Sequence, residues 1–203
     1  MSDELVNKVT VIAGERGSGK TNTAKILIQA YADTNGADHR ILIVDTLNHP
    51  QYAGIQQLPK AEYLSMWKDN SGVLRLFAPP PEGEGVQYNL QYVCSQHGGR
   101  YLFRNGLLVI EDATKLLEGK LDEWFKTFVV DSKQINVDVL LMFHGFCFVP
   151  PRLWKFVDRL IIHKTKEQWN AIKGRIPAAP LVEAAFHRVQ AHKSKYYYEV
   201  VNL

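Results

Sequence analysis

Cysteine is scarce in this chain: only Cys94 and Cys147 among 203 residues, far apart and in no C-x-x-C pair. A disulfide framework is therefore excluded as the source of stability. The two read as free thiols of a reducing cytosol, with a single bridge between them as the other reading. Long apolar runs are missing as well. The most apolar uncharged stretch, "VLLMFHGFCFVPP" at 139–151, has 13 residues, carries His144 and two prolines, and is too short to span a bilayer. The start, "MSDELVNK", is acidic and polar, which does not suit a signal peptide, so cytoplasmic placement is expected. No internal repeat and no low-complexity tract interrupts the chain. With 46% hydrophobic and 22% charged residues, disordered and collagen-like classes are out.

The length fits one domain over 1–203, large enough to bury roughly 70% of its unfolded surface in a core. Net charge is only +3, but it is unevenly spread. Residues 1–144 hold 14 Lys/Arg against 17 Asp/Glu, and residues 145–203 hold 10 against 4. A basic last quarter suits a polyanionic partner or a solvated basic face.

Six apolar runs read as buried strands: "VTVIAG" (9–14), "RILIVD" (40–45), "VLRLFAP" (73–79), "LLVIED" (107–112), "VDVLLMFHG" (137–145) and "DRLIIHKT" (158–165). They are continuous rather than alternating, as parallel strands covered on both faces are. Between them lie helical patterns at 19–33, 61–69, 85–97, 120–134 and 181–192, the last following Pro180. "KYYYEVVNL" (195–203) reads as a final strand, with a base-stacking platform as the other reading of its "YYY" (196–198). "APPPEGEG" (78–85) and "RIPAAP" (175–180) read as breaks within the domain. The alternation predicts an α/β, doubly wound, mainly parallel sheet.

"GERGSGKT" (14–21) sits between the first strand and the first helix and fits G-x-x-x-x-G-K-[ST], the phosphate-binding P-loop. Gly14, Gly17 and Gly19 let the backbone curl so that successive N–H groups, with Ser18 and Asn22 beside them, face an anion at a helix N-terminus. Lys20 is placed to reach the β- and γ-phosphates of ATP, and Thr21 to put its hydroxyl on Mg²⁺. The strand "LLVIED" ends in Glu111 and Asp112. An acid there stands beside Mg²⁺ in P-loop NTPases, and its neighbour can polarise the attacking water. By register Glu111 takes the metal side and Asp112 the catalytic one, the reverse of the usual Asp–Glu order. "VDVLLMFHG" ends in His144, a polar residue placed as a γ-phosphate sensor or as a satisfied core histidine.

Missing motifs narrow the class. There is no N-K-x-D for guanine, since "NKVT" lacks the Asp, and no L-S-G-G-Q of an ABC-type ATPase. Only 38 residues follow "DRLIIHKT", which leaves little room for an AAA+ helical lid. The succession "GERGSGKT", "LLVIEDATKLL" and "FVPPRLWKFVDRLIIHKT" over roughly 8–165 resembles the FtsK–HerA superfamily, and within it the compact viral genome-packaging and Zot-like ATPases. The resemblance implies a RecA-like core and an ATP-driven ring, usually a hexamer, that moves double-stranded DNA through a channel. It places the protein in the host cytoplasm or with the virion. It also implies an arginine finger given to the neighbouring subunit, with Arg159 the first candidate and Arg152 the second. Candidate DNA contacts are "HGGR" (97–100) with Tyr101 and Arg104, and Arg188, Lys193 and Lys195. Two other readings stand beside this one. "RLWKFVDR" imitates the lid of a small-molecule or nucleotide kinase, and a phage export ATPase is a third reading, although no membrane anchor is visible.

Overall fold

The computed structural model describes residues 7–67, 71–117 and 120–203. The N-terminal segment 1–6 and residues 68–69, which end the helix expected over 61–69, lie outside the described residues. In chain order the elements are β1 (Val9–Ala13), α1 (Lys20–Asn35), β2 (Arg40–Val44), β3 (Gln56–Leu58), β4 (Gly72–Leu76), α2 (Tyr88–Cys94), β5 (Gln96–His97), β6 (Arg100–Tyr101), β7 (Gly106–Ile110), α3 (Ala113–Leu116), α4 (Glu123–Asp131), β8 (Val137–Phe143), β9 (Arg159–His163), α5 (Trp169–Ile172), α6 (Ala179–Ala191) and β10 (Tyr198–Asn202). Among the described residues, eight strands form one sheet in the order β10-β9-β1-β8-β7-β2-β4-β3. All neighbours in it run parallel except β10, which returns antiparallel along β9. This is the expected doubly wound α/β arrangement.

The apolar runs are continuous because both faces are covered. Successive residues of a strand point to opposite faces. Val9, Val11 and Ala13 of β1 accordingly join one core, with α2, α4 and α6 packed against it, while Ile12 joins the other with Ala24, Ile28 and Tyr31 of α1. Every residue of β1, β2, β7, β8 and β9 is buried. A parallel sheet places all strand C-termini at one end. Residues 14–21, Asp45, Glu111, Asp112 and His144 therefore emerge together although the chain separates them widely.

Two expected helices are corrected. The 61–69 pattern gives a 3₁₀ segment, Ala61–Met66. Its buried residues Ala61 and Leu64, with the buried Trp67 just after it, recur every third position, the period of a 3₁₀ turn rather than of an α-helix. The 85–97 pattern gives only α2, after which Gln96–His97 and Arg100–Tyr101 pair antiparallel as a hairpin. Gly98 (φ 60°) and Gly99 (φ 77°) supply the two left-handed residues of a tight hairpin turn, so "HGGR" is a hairpin tip and not a helix cap. The final strand is shorter than the 195–203 run; it begins at Tyr198, leaving Tyr196 and Tyr197 ahead of it.

Candidate active site

The chain leaves β1 at Ala13 and enters α1 at Lys20. Two glycines of the turn are sterically required. A Cβ on Gly14 would stand 2.5 Å from the Cβ of His163, and Gly19 has φ 97°, a conformation that L side chains rarely adopt. The first N–H groups of α1 have no intrahelical acceptor, so Lys20, Thr21 and Asn22 present theirs at the positive end of the helix dipole. Ser18 fastens the loop: both its N–H (3.3 Å) and its hydroxyl (2.9 Å) donate to the Glu15 carbonyl. Asn22 is exposed on the first turn of α1. The Lys20 ammonium donates to the carbonyls of Gly14 and Glu15, each at 2.8 Å. Two of its three donors hold the loop in shape and one remains for an anion. Burial pulls its pKa down to about 8, against the opposing influence of Glu111, Asp112 and Glu15.

β7 ends at the two acids. The Thr21 hydroxyl donates to Glu111 Oε1 at 3.2 Å, and the buried Tyr52 hydroxyl donates to Glu111 Oε2 at 2.8 Å. Burial raises the Glu111 carboxyl above its ordinary value, and the bond from Tyr52 works against that rise. Asp112 turns the other way through a left-handed backbone (φ 52°). Its carboxylate is 2% exposed and stands 3.1 Å from His144 Nε2, out of line for a hydrogen bond. Neither oxygen accepts a hydrogen bond among the described residues, while the Lys115 ammonium lies 3.9 Å away. The backbone N–H of His144 donates to Thr114 Oγ1 at 3.0 Å, which ties the end of β8 to α3. Because β8 lies between β1 and β7, His144 sits between the glycine turn and the acids. Arg16, Gly17, Gly19, Lys20, Thr21, Asn22, Glu111 and His144 line one cavity of about 910 Å³.

Thr21 and Glu111 fit a magnesium ion. Mg²⁺ takes one or two protein oxygens and fills the rest of its shell with phosphate and water. These two oxygens lie side by side at the mouth of the turn. Among the described residues no group of three or more His, Cys, Asp or Glu forms a self-sufficient metal cage.

Several site residues escape sequence reasoning. Arg75, buried within β4, pairs with Asp45 at 2.8 Å. Asp45 in turn accepts the N–H groups of Leu47 and His49 at 2.9 and 2.8 Å, and so shapes the loop that carries Tyr52 to Glu111. A charged residue amid the apolar "VLRLF" was the available signal, since a buried cation needs a partner. His163, fully buried, donates from Nδ1 to the Ser18 carbonyl at 2.9 Å. Burial, then Lys20, hold its pKa down near 4, so the ring is neutral. Tyr196 and Tyr198 line the same cavity.

The two candidate finger arginines sit in different surroundings. Arg159 opens β9, at the end of the sheet away from the glycine turn, and is 6% exposed with Nε 3.5 Å from Asn202 Oδ1. A finger must reach across a subunit boundary, and a side chain buried in its own sheet does not suit that. Arg152 is exposed. Among the described residues no helix is long and apolar enough to cross a membrane.

No family model matches the chain, and no curated protein matches it. Solved structures do. The genome-packaging NTPase B204 of Sulfolobus turreted icosahedral virus 2 in complex with AMPPCP has TM-score 0.72 and 14% identity, over 96% of this chain and 92% of that one. The same protein in complex with ATP-gammaS has TM-score 0.69 and 15% identity, over 96% and 91%. B204, the DNA-packaging ATPase from Sulfolobus turreted icosahedral virus, has TM-score 0.69 and 15% identity, over 98% and 94%. The likeness is one of fold: over nearly its whole length this chain is built as those packaging NTPases are.

Proposed function

We propose that the chain, as one domain over residues 1–203, is a Mg²⁺-dependent ATP hydrolase that drives double-stranded DNA in viral or mobile-element genome packaging, working as a ring of copies, six being the natural number. The observation that carries it is the junction of the glycine turn with the acidic strand: Thr21 bonded to Glu111 beside Lys20, with Asp112 and His144 next to them. The fold shared with B204 supports the packaging part of the reading.

The turn's amides and the third donor of Lys20 hold the β- and γ-phosphates. Thr21 and Glu111 hold the metal, which supplies charge neutralisation on those phosphates. Asp112, with two buried oxygens that accept no hydrogen bond among the described residues, takes the proton of the attacking water. His144, 3.1 Å from Asp112, serves as the γ-phosphate sensor. Arg152 of a neighbouring copy completes the charge stabilisation, and the exposed Arg100 of the hairpin and Arg104 just after it grip DNA phosphates.

ATP turnover with and without duplex DNA, beside Lys20→Ala, tests this. Wild-type turnover rises with DNA at low salt. Lys20→Ala lowers turnover by at least about a hundredfold with the circular dichroism spectrum kept, the size expected for a lost phosphate donor. Turnover that survives Lys20→Ala removes the site. A monomer indifferent to DNA indicates a small-substrate phosphotransferase instead.

A further inference from the structure

We propose that Tyr196 is the platform on which the purine of the nucleotide stacks, so that the base lies on the β10 side of the glycine turn. The inference rests on the ATP-site reading above and adds the base subsite to it.

The first argument is directional. The cavity extends to both sides of the turn that follows β1. On the side of β8 and β7 stand His144 and Glu111; beyond β9, on the other side, stand Tyr196 and Tyr198. A γ-phosphate must face the acids. The α-phosphate and its nucleoside then leave toward the tyrosines.

The second argument is the placement of Tyr196 itself. It is a large aromatic with 59% of its surface exposed, beside a polar phosphate site. It packs on the turn so closely that a Cβ on Gly19 would lie 3.2 Å from its Cδ1. The Lys195 ammonium stands 4.8 Å from the ring centroid. Tyr198 stacks on His163 with centroids 5.3 Å apart and planes at 24°, and His163 is bonded to Ser18 of the turn. An aromatic wall is thus anchored to the same loop that receives the phosphates. An aromatic face in this position gains affinity from a base by stacking and reads little of its hydrogen-bonding edge.

Calorimetric binding of AMP-PNP and of inorganic tripolyphosphate tests the subsite without relying on turnover. Tyr196→Ala weakens AMP-PNP about tenfold, the order of one lost stack. Its affinity for tripolyphosphate stays within about twofold of wild type, and Tyr196→Phe and Tyr196→Trp keep AMP-PNP binding, because only the ring face is used. Equal weakening of both ligands by Tyr196→Ala makes the tyrosine a support of the loop and overturns the proposal. So does unchanged AMP-PNP binding, including the case in which only DNA stimulation falls. A wild-type protein that binds neither compound refutes the ATP site itself; one that binds tripolyphosphate as tightly as AMP-PNP refutes the base subsite alone.

Discussion

His163 links the phosphate turn to the stability of the whole chain. Its Nδ1 donates to the Ser18 carbonyl, and its Cβ closes on Gly14, so the ring supports the turn from the β9 side. Burial lowers the folded-state pKa to about 4 from the ordinary histidine value of about 6.5. Between those values the unfolded chain binds the extra proton, so stability is full above about pH 6.5 and falls as pH drops toward 4. From about pH 7 to pH 5 the loss is about 2 kcal/mol. Urea unfolding at both pH values should show a change in the wild type that exceeds the loss in His163→Asn, whose amide can still donate to Ser18, by about 2 kcal/mol, because the other titrating groups act alike in both proteins. Equal slopes would mean that the histidine does not titrate on unfolding. Tyr52 acts on the metal side. Tyr52→Phe leaves Glu111 Oε2 buried without its 2.8 Å donor. A ligand that loses its supporting bond costs on the order of tenfold in metal affinity. The Mg²⁺ concentration for half-maximal turnover should therefore rise by about tenfold; an unchanged requirement would reduce Tyr52 to a core residue.

At the level of elements, the segments legible in the sequence were those whose determinants are local. β1, β2, β7, β8 and β9 announce themselves because burial on both faces demands unbroken apolar runs. The glycine turn is legible because its geometry is written in eight consecutive residues. Illegible parts come from approaches between distant segments. Tyr52 meets Glu111 across 59 positions, and His163 meets Ser18 across 145. No periodicity within a window encodes such meetings. The burial of Arg159 was illegible because a strand pattern does not say that β10 folds back along β9 and puts Asn202 beside it. The hairpin β5–β6 was lost inside a helical pattern, although Gly98-Gly99 was a usable turn signal. That hairpin precedes β7 and so lies at the sheet end opposite the phosphate turn, with Arg100 and Arg104 exposed. If it grips DNA, replacing both arginines by alanine removes about two phosphate contacts and flattens the salt dependence of DNA binding by about two units of log–log slope. A slope equal to the wild type places the DNA surface elsewhere, with the basic residues 188–195 next in line.

For the whole molecule, a finger given to a neighbour dictates the kind of assembly. The surface proposed as donor, around Arg152, borders a cavity lined by Lys120–Glu123 and Pro150–Arg152, which shares no residue with the cavity at the phosphate turn. Donor and acceptor are thus different patches of one chain. Contacts between unlike patches are head-to-tail, and they close into a ring when the rotation per subunit permits. In the proposed ring the excess charge of residues 145–203 would be repeated once per subunit. Subunit mixing reads this arrangement directly. Lys20→Ala destroys the nucleotide site and leaves Arg152 to offer, whereas Arg152→Ala keeps the nucleotide site and has no finger to give. Each variant alone should be almost inactive, a missing finger costing about 10³–10⁵ in rate. Co-expressed in equal amounts, an intact site arises wherever an Arg152→Ala copy is followed by a Lys20→Ala copy, which random assembly gives at about a quarter of the interfaces. Turnover recovering to about that fraction of wild type establishes donation between copies. If Arg152→Ala alone stays active, the finger is another residue. If it is inactive and mixing restores nothing, Arg152 serves its own site, and the head-to-tail ring loses its chemical reason.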